Sequence, residues 1–317
     1  MTKKVLITSR SFGNISDKPF NVLKAGGYTP LKLEEGFAWE TFEQEVLDAE
    51  ALIIGAHEFP IELMNRCSKL KIICKHGAGL DNIHINEAKN QGIIVCNAPG
   101  TNKNAVADLV FGLMLNVSRK INLTSSWVHE GKWKTAIGLD VYNKTLGIIG
   151  LGSIGQCVAQ RAAGFSMKVL AYDSYIDEVP EELAPFVKLT DIETLLKESN
   201  FLTLHVPLTE ETRNLITKKE MEIMPKNSII INTSRGGIVN EEDLLNMIET
   251  GHIFGAGLDV TEQEPIDVNS PLLQNPNIII TPHIGMYSKE AIEAVSLICA
   301  ENVSNLNNPD DLVYRVC

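Results

Sequence analysis

At 317 residues the chain exceeds one ordinary hydrophobic core and fits two domains. With 44% hydrophobic residues, 23 glycines and a formal net charge of −12 it reads as globular α/β, without the concentrated positive charge that nucleic acid or an anionic membrane demands. No apolar run reaches the roughly 18 residues that span a bilayer, and the six cysteines contain no Cys-x-x-Cys, so a reduced cytoplasmic protein is expected.

The N-terminal apolar stretch is too short for a signal peptide and reads as a first strand. Short buried-strand runs follow at 5–8, 29–33, 51–54, 72–75 and 93–96, alternating with helical patterns at 18–25, 41–47, 61–67 and 85–90. This alternation predicts a parallel sheet complete in itself. A long helix is expected over 104–121. Strands at 146–149 and 168–172 then flank a helix at 154–163, with Ile154, Val158 and Ala162 on one face. The same grammar continues with strands at 201–204, 228–232, 255–258 and 277–280, helices at 192–197, 217–221 and 241–249, and a last helix at 289–306.

Between the strands at 146–149 and 168–172 stands Gly150-Leu151-Gly152-Ser153-Ile154-Gly155, and Asp173 closes the second strand 18 residues after the last glycine. A Gly-x-Gly-x-x-Gly alone is weak evidence. Set between a strand and a helix, with an acidic residue at the next strand end, it is the fingerprint of a dinucleotide-binding βαβ unit. Gly150 permits the turn, Gly152 lets a pyrophosphate approach the backbone, and Gly155 packs helix on strand. Asp173 would accept hydrogen bonds from the adenosine ribose and repel a 2′-phosphate, favouring NAD over NADP.

A dinucleotide fold begins just before its glycine motif. Residues 1–98 are therefore expected as a separate substrate-binding domain, 99–287 as the NAD-binding domain, and 288–317 as a helix returning to the first. Two crossings of this kind imply a hinged pair with a cleft. The expected architecture is a Rossmann-type doubly wound parallel sheet inserted in a flavodoxin-like domain.

Ligands of open parallel sheets bind beyond the carboxyl ends of the strands. Four successive strands there deliver His205, Arg235, the carboxylates Asp259 and Glu264, and His283. Hydride transfer to or from a hydroxyl-bearing carbon needs a proton-exchanging group, and histidine with a carboxylate partner supplies one. Arginine offers a planar fork to a substrate carboxylate. No metal-ligand spacing is present, and His205 is read as cofactor-proximal but structural. His57, His84, His129 and His252 are read as structural, and Trp127 and Trp133 as packing residues.

The stretches Asn232-Thr233-Ser234-Arg235-Gly236-Gly237, Leu258-Asp259-Val260 with Glu264-Pro265, and Pro282-His283-Ile284-Gly285 resemble the D-isomer-specific 2-hydroxyacid dehydrogenases. The resemblance extends through His76-Gly77-Ala78-Gly79-Leu80-Asp81-Asn82-Ile83 and Asn97-Ala98-Pro99-Gly100-Thr101-Asn102, so it covers essentially the whole chain. It implies that His283 is the acid/base, that Glu264 pairs with it and favours its protonated form, and that Arg235 holds the substrate carboxylate and carbonyl. It implies that Gly77, Ala78 and Gly79 present backbone N–H groups to the carboxylate across the cleft, beside Lys75. Asp259 would contact the nicotinamide end, and Ser153, Ile154, Val206 and Thr233 would lie along the NAD. A homodimer pairing through the cofactor domain is implied as well.

Within the family the chain is most similar to the phosphoglycerate dehydrogenases in a short form without an added regulatory domain. That likeness implies 3-phosphoglycerate as substrate in serine biosynthesis, with hydroxypyruvate or glyoxylate reduction as the alternative. An NAD(H)-sensing binding module is the reading from a different class. Three departures bear on the substrate: Lys75 stands where arginine is frequent, Ser153 stands inside the glycine motif where arginine is frequent, and Met286-Tyr287-Ser288 replaces a small-residue and threonine pattern.

Overall fold

The structure is a computed structural model and describes residues 3–317. The chain divides into two compact units, the second (Lys103–Gly285) inserted between the two segments of the first, which meet it at Asn102 and Met286. The crossings thus fall after residue 102 and before residue 286, slightly inside the expected limits.

The first segment of unit 1 runs β1 (Lys3–Ile7), α1 (Lys18–Ala25), β2 (Tyr28–Lys32), α2 (Trp39–Val46), β3 (Ala51–Ile54), α3 (Ile61–Met64), β4 (Ile72–Lys75), α4 (Ile85–Asn90) and β5 (Ile94–Cys96). All pairings are parallel and the strand order is β2-β1-β3-β4-β5, the flavodoxin-like arrangement. Because strand side chains alternate faces, Leu6 joins Phe42, Leu52 and Leu63 on one side of the sheet. Its neighbours Val5 and Ile7 join Leu23 and Ile53 on the other.

Unit 2 opens with α5 (Lys103–Arg119) and α6 (Ile121–His129). There follow β6 (Thr145–Ile149), α7 (Ser153–Gly164), β7 (Lys168–Tyr172), β8 (Val187–Leu189), α8 (Ile192–Glu198), β9 (Phe201–Leu204), α9 (Lys218–Ile223), β10 (Ser228–Asn232), α10 (Glu241–Glu249), β11 (Ile253–Leu258) and β12 (Ile278–Ile280). Its seven strands lie in the order β12-β11-β10-β9-β6-β7-β8, all parallel. The order reverses between β6 and β9, so the crevice of a Rossmann sheet opens there. Ile148, Ile229 and Ile231 pack with α5 and α7 on one face, while Ile149, Leu202 and Ile230 pack with α8, α9 and α10 on the other. On α7, Val158 and Ala162 are fully buried and Ile154 is half-buried. The last helix, α11 (Lys289–Ser304), completes unit 1: Val295, Cys299 and Val303 enter the same core as Val5 and Ile53.

The helix expected over 104–121 stops at Arg119, because Lys120 takes a left-handed conformation (φ 52°) and α6 starts anew beyond it. No residue of α6 is buried, and Trp133, expected to pack, is 91% exposed.

Candidate active site

The glycine turn sits at the switch point. Gly150 has φ +95°, and a Cβ there would lie 2.5 Å from the carbonyl oxygen of His205, the first residue beyond β9. A Cβ on Gly155 would meet the Gly150 carbonyl oxygen at 2.1 Å, so only glycine lets α7 start this close to the turn. Gly152 is the opposite case. It is exposed and a Cβ would meet nothing within 4 Å, which leaves the backbone at the start of a twelve-residue helix open to an approaching phosphate. Ser153 and Ile154 form the first turn beside it, and no side chain caps the helix.

At the end of β7 the Asp173 carboxylate accepts the Leu151 N–H at 2.7 Å and the Tyr175 N–H at 2.9 Å. It is therefore tied to the glycine turn and keeps acceptor capacity on both oxygens. Val206 flanks Gly150, its Cγ1 3.0 Å from the position of a Cβ there. Thr233, just past β10, has a buried hydroxyl with no hydrogen-bond partner among the described residues. An open helix start, a strand-end carboxylate and an orphaned hydroxyl fit a bound dinucleotide.

Beyond β10, Asn232 organises the next loop: its side chain donates to the Arg235 carbonyl at 2.8 Å and accepts the Ser234 N–H at 3.1 Å. A Cβ on Gly236 would stand 2.0 Å from the Thr261 carbonyl oxygen. The glycine lets the arginine loop press against the segment that carries Glu264, and the Arg235 charge helps keep the Glu264 carboxylate ionised.

Nδ1 of His283 lies 2.8 Å from Glu264 Oε2, both side chains about half exposed. Burial pushes the Glu264 carboxyl upward, but the hydrogen bond and charge of His283, with the Thr261 N–H and Arg235, outweigh it and hold it below its ordinary value. His283 has φ +52°, unusual for a residue with a Cβ. Its N–H donates to both the Asp259 and Thr281 carbonyls at 2.9 Å. Asp259 is almost fully buried. One of its carboxylate oxygens accepts the Thr281 hydroxyl (2.6 Å) and the Ile284 N–H (2.8 Å), the other the Gly285 N–H (2.8 Å).

The His205 ring nitrogen meets the Thr203 hydroxyl at 3.0 Å, and burial pushes its pKa down to about 3. His57 bonds the Thr8 hydroxyl at 2.8 Å and packs edge-on against Phe42. His252 meets the Met224 carbonyl at 3.1 Å. His84 lies 3.6 Å from Glu58, and His129 is exposed.

Within unit 1, Lys75 closes β4, and its ammonium donates to the Gly55 carbonyl (2.6 Å) and to Asn82 Oδ1 (2.9 Å). In the loop that follows, the Gly77 N–H turns back onto the Lys75 carbonyl at 2.9 Å and forms the bend. The N–H groups of Ala78 and Gly79 make no backbone hydrogen bond among the described residues, leaving them as the loop's donors. Asn97 steadies the bend by donating to the Ala78 carbonyl at 2.8 Å.

Sequence reading missed Asn232, Thr281 and Asn82, which hold loops rather than reacting atoms. Their only signal was a polar residue at or just past a strand end. Among the described residues no cluster of histidine, cysteine and carboxylate side chains forms a metal site, and no helix is long and apolar enough to cross a membrane.

Residues 111–285 match the family described as D-isomer specific 2-hydroxyacid dehydrogenase, NAD binding domain. The chain is 42% identical over 271 residues to a glyoxylate reductase of Thermococcus litoralis, covering 82% of this chain and 81% of that one. It is 39% identical over 279 residues to a D-3-phosphoglycerate dehydrogenase of Methanocaldococcus jannaschii, covering 87% of this chain but 53% of that protein. A crystal structure of a Thermus thermophilus protein superposes with a TM-score of 0.91 at 32% identity, covering 99% of this chain and 100% of that one. The chain belongs to the D-isomer-specific 2-hydroxyacid dehydrogenase family and is an NAD-dependent oxidoreductase.

Proposed function

We propose that the protein reduces a small 2-keto acid to its D-2-hydroxy acid, with glyoxylate or hydroxypyruvate ahead of 3-phosphohydroxypyruvate. The reaction rests on one observation, the 2.8 Å contact between His283 Nδ1 and the ionised Glu264. A carboxylate can only accept there, so Nδ1 carries a hydrogen and Nε2 is left as the proton-exchanging nitrogen.

NADH, when bound, would supply the hydride that the carbonyl carbon receives. As charge develops on the carbonyl oxygen, His283 Nε2 donates its proton to it and Glu264 stabilises the arrangement. Arg235 holds the substrate carboxylate and polarises the carbonyl, and within unit 1 the Ala78 and Gly79 N–H groups are donors suited to a carboxylate. Gly150, Gly152, Ser153, Ile154 and Gly155 take the pyrophosphate, Asp173 the adenosine ribose, and Val206, Thr233 and Asp259 the nicotinamide half.

The family resemblance points to 3-phosphoglycerate, and a phosphoglycerate dehydrogenase is among the relatives. The shorter substrates are preferred because the glyoxylate reductase relative matches along most of its length. Lys75, the cation opposite a phosphate in that expectation, is also turned onto Gly55 and Asn82. Ile121, Val128, Trp133, Ile137 and Tyr142 form an exposed apolar series in unit 2 and support pairing with a second copy there. Five buried free cysteines support a reducing, cytoplasmic setting.

The test is kcat/KM for NADH oxidation with glyoxylate, hydroxypyruvate and 3-phosphohydroxypyruvate. A preference for the phosphorylated acid would restore phosphoglycerate as substrate. Silence with all three alongside NADH binding would indicate an NAD(H)-sensing module.

A further inference from the structure

Glu264 rides on the irregular segment that follows β11, and its side chain is 40% exposed, so its aim at His283 has to be fixed by neighbouring chain. Thr261 supplies part of this. Its N–H donates to Glu264 Oε1 at 3.3 Å, and its hydroxyl donates to the Gln263 carbonyl at 2.8 Å. A shorter contact comes from α10: Glu241 Oε1 accepts the Glu262 N–H at 2.6 Å. The Glu241 N–H faces Glu262 Oε1 at 3.5 Å, a long reciprocal contact.

Glu241 stands on an anchored helix start. Asn240 caps α10 by accepting the Asp243 N–H at 2.9 Å, and its own N–H donates to the Ile216 carbonyl at 3.0 Å. Asp243 in turn accepts the Lys218 N–H, at the start of α9, at 2.9 Å. The chain leading into α10 is the arginine loop, where Gly236 lets the backbone press on the Thr261 carbonyl. The segment that carries Glu264 is therefore gripped at two successive residues, Thr261 by the arginine loop and Glu262 by Glu241. Burial pushes the Glu241 carboxyl upward; the Glu262 N–H opposes this, and the charges of Glu262 and Glu264 add to it. A carboxylate set beside two others is not the residue that stability alone favours there.

Resting on the proposed proton exchange at His283, we infer that Glu241 is a positioning residue for that step: its bond to the Glu262 N–H sets the loop from which Glu264 reaches Nδ1. Glu241 acts through Glu264 and not on the reacting atoms. With Glu241 truncated, the loop keeps Thr261 but loses a charge-assisted bond. Glu264 then spends time away from Nδ1, and the imidazole is left for that time without its orienting carboxylate. The effect falls on kcat and spares NADH binding, because the groups assigned to the pyrophosphate and the adenosine ribose lie at the ends of β6 and β7.

The test is a double-mutant cycle on kcat, with KM for NADH alongside, in wild type, Glu241→Ala, Glu264→Ala and the double variant, using the best of the three keto acids. Glu241→Ala is expected to lower kcat about 10-fold, less than the roughly 10²-fold that a misplacement of about 1 Å can cost, with KM for NADH unchanged. In the Glu264→Ala background the same truncation is expected to change kcat by less than about 2-fold, because its route to His283 is already cut. Glu241→Gln keeps an oxygen for the Glu262 N–H and is expected to recover most of the loss. A merely structural role would raise KM for NADH as well and would carry its full factor into the Glu264→Ala background. Wild-type kcat in Glu241→Ala, the full factor in the double variant, or a glutamine variant as slow as the alanine one each overturns the assignment. If Glu241→Ala does not fold, Glu241→Asp, one methylene shorter with its charge kept, takes its place in the same cycle. Failure of the underlying reading looks different: Glu264→Ala alone would leave kcat at the wild-type value.

Discussion

The Asp259 carboxylate accepts the Gly285 N–H at 2.8 Å, across 26 positions of sequence, and its other oxygen gathers Thr281 and Ile284. His283 stands between these three residues in a left-handed conformation. Its ring direction therefore follows from a buried acid that it does not touch with its side chain.

Asp259→Asn would replace one acceptor oxygen with an NH2 group among donors only. Loss of about 1–3 kcal/mol of stability is expected, the cost of unsatisfied buried polar groups, together with a fall in kcat larger than the change in KM for NADH. Thermal unfolding and steady-state kinetics check both, and a variant with wild-type kcat would show that Asp259 does not position His283.

His283→Ala is expected to lose about 10²–10⁴ in kcat, as for removal of a general acid. Glu264→Gln should keep partial activity, because the amide oxygen can still accept the Nδ1 hydrogen of His283 but no longer carries a charge beside it. Full turnover in the alanine variant would remove His283 from the mechanism.

Asp173→Asn removes the charge that repels a 2′-phosphate while leaving an oxygen to accept one of its two N–H bonds. KM for NADH should rise about 10-fold, on the scale of a charge-assisted hydrogen bond, and the NADH/NADPH preference should narrow by at least as much. Unchanged discrimination would place the ribose elsewhere.

One buried imidazole, His76, and one half-buried imidazole, His205, give the fold an acid limit. His76, whose Nε2 meets the Ser296 hydroxyl at 2.9 Å, is pushed down to about 3 by burial and then by Lys75 and Lys32. His205 is pushed to about 3 by burial. Both folded values lie below the ordinary 6.5, so the unfolded chain binds more protons on acidification. Their contribution to stability is whole above about pH 6.5 and is lost progressively as pH falls toward about 3, at up to about 1.4 kcal/mol per pH unit for each ring. Tm measured from pH 7 to 4 should fall less steeply in His76→Gln than in wild type.

Buried parallel strands announce themselves as short apolar runs, and β3, β4, β7, β9 and β10 coincide with theirs to the residue. β8 was illegible because three residues, Val187-Lys188-Leu189, carry too little pattern at a sheet edge. The extension of helix past Lys120 was missed for a related reason: α6 buries nothing, so no apolar stripe marks it. At the site, side chains suited to chemistry were legible from their strand ends. That Gly77 spends its own N–H on the Lys75 carbonyl was not, because backbone hydrogen bonds leave no letter in the sequence.

The insertion of one unit within the other also sets an order of assembly during synthesis. Every residue of unit 2 leaves the ribosome before Val295, Cys299 and Val303 exist to fill the core of unit 1. The cofactor-binding unit can close on the nascent chain while the earlier-made half of unit 1 waits with an uncovered sheet face, making that half the natural client of chaperones.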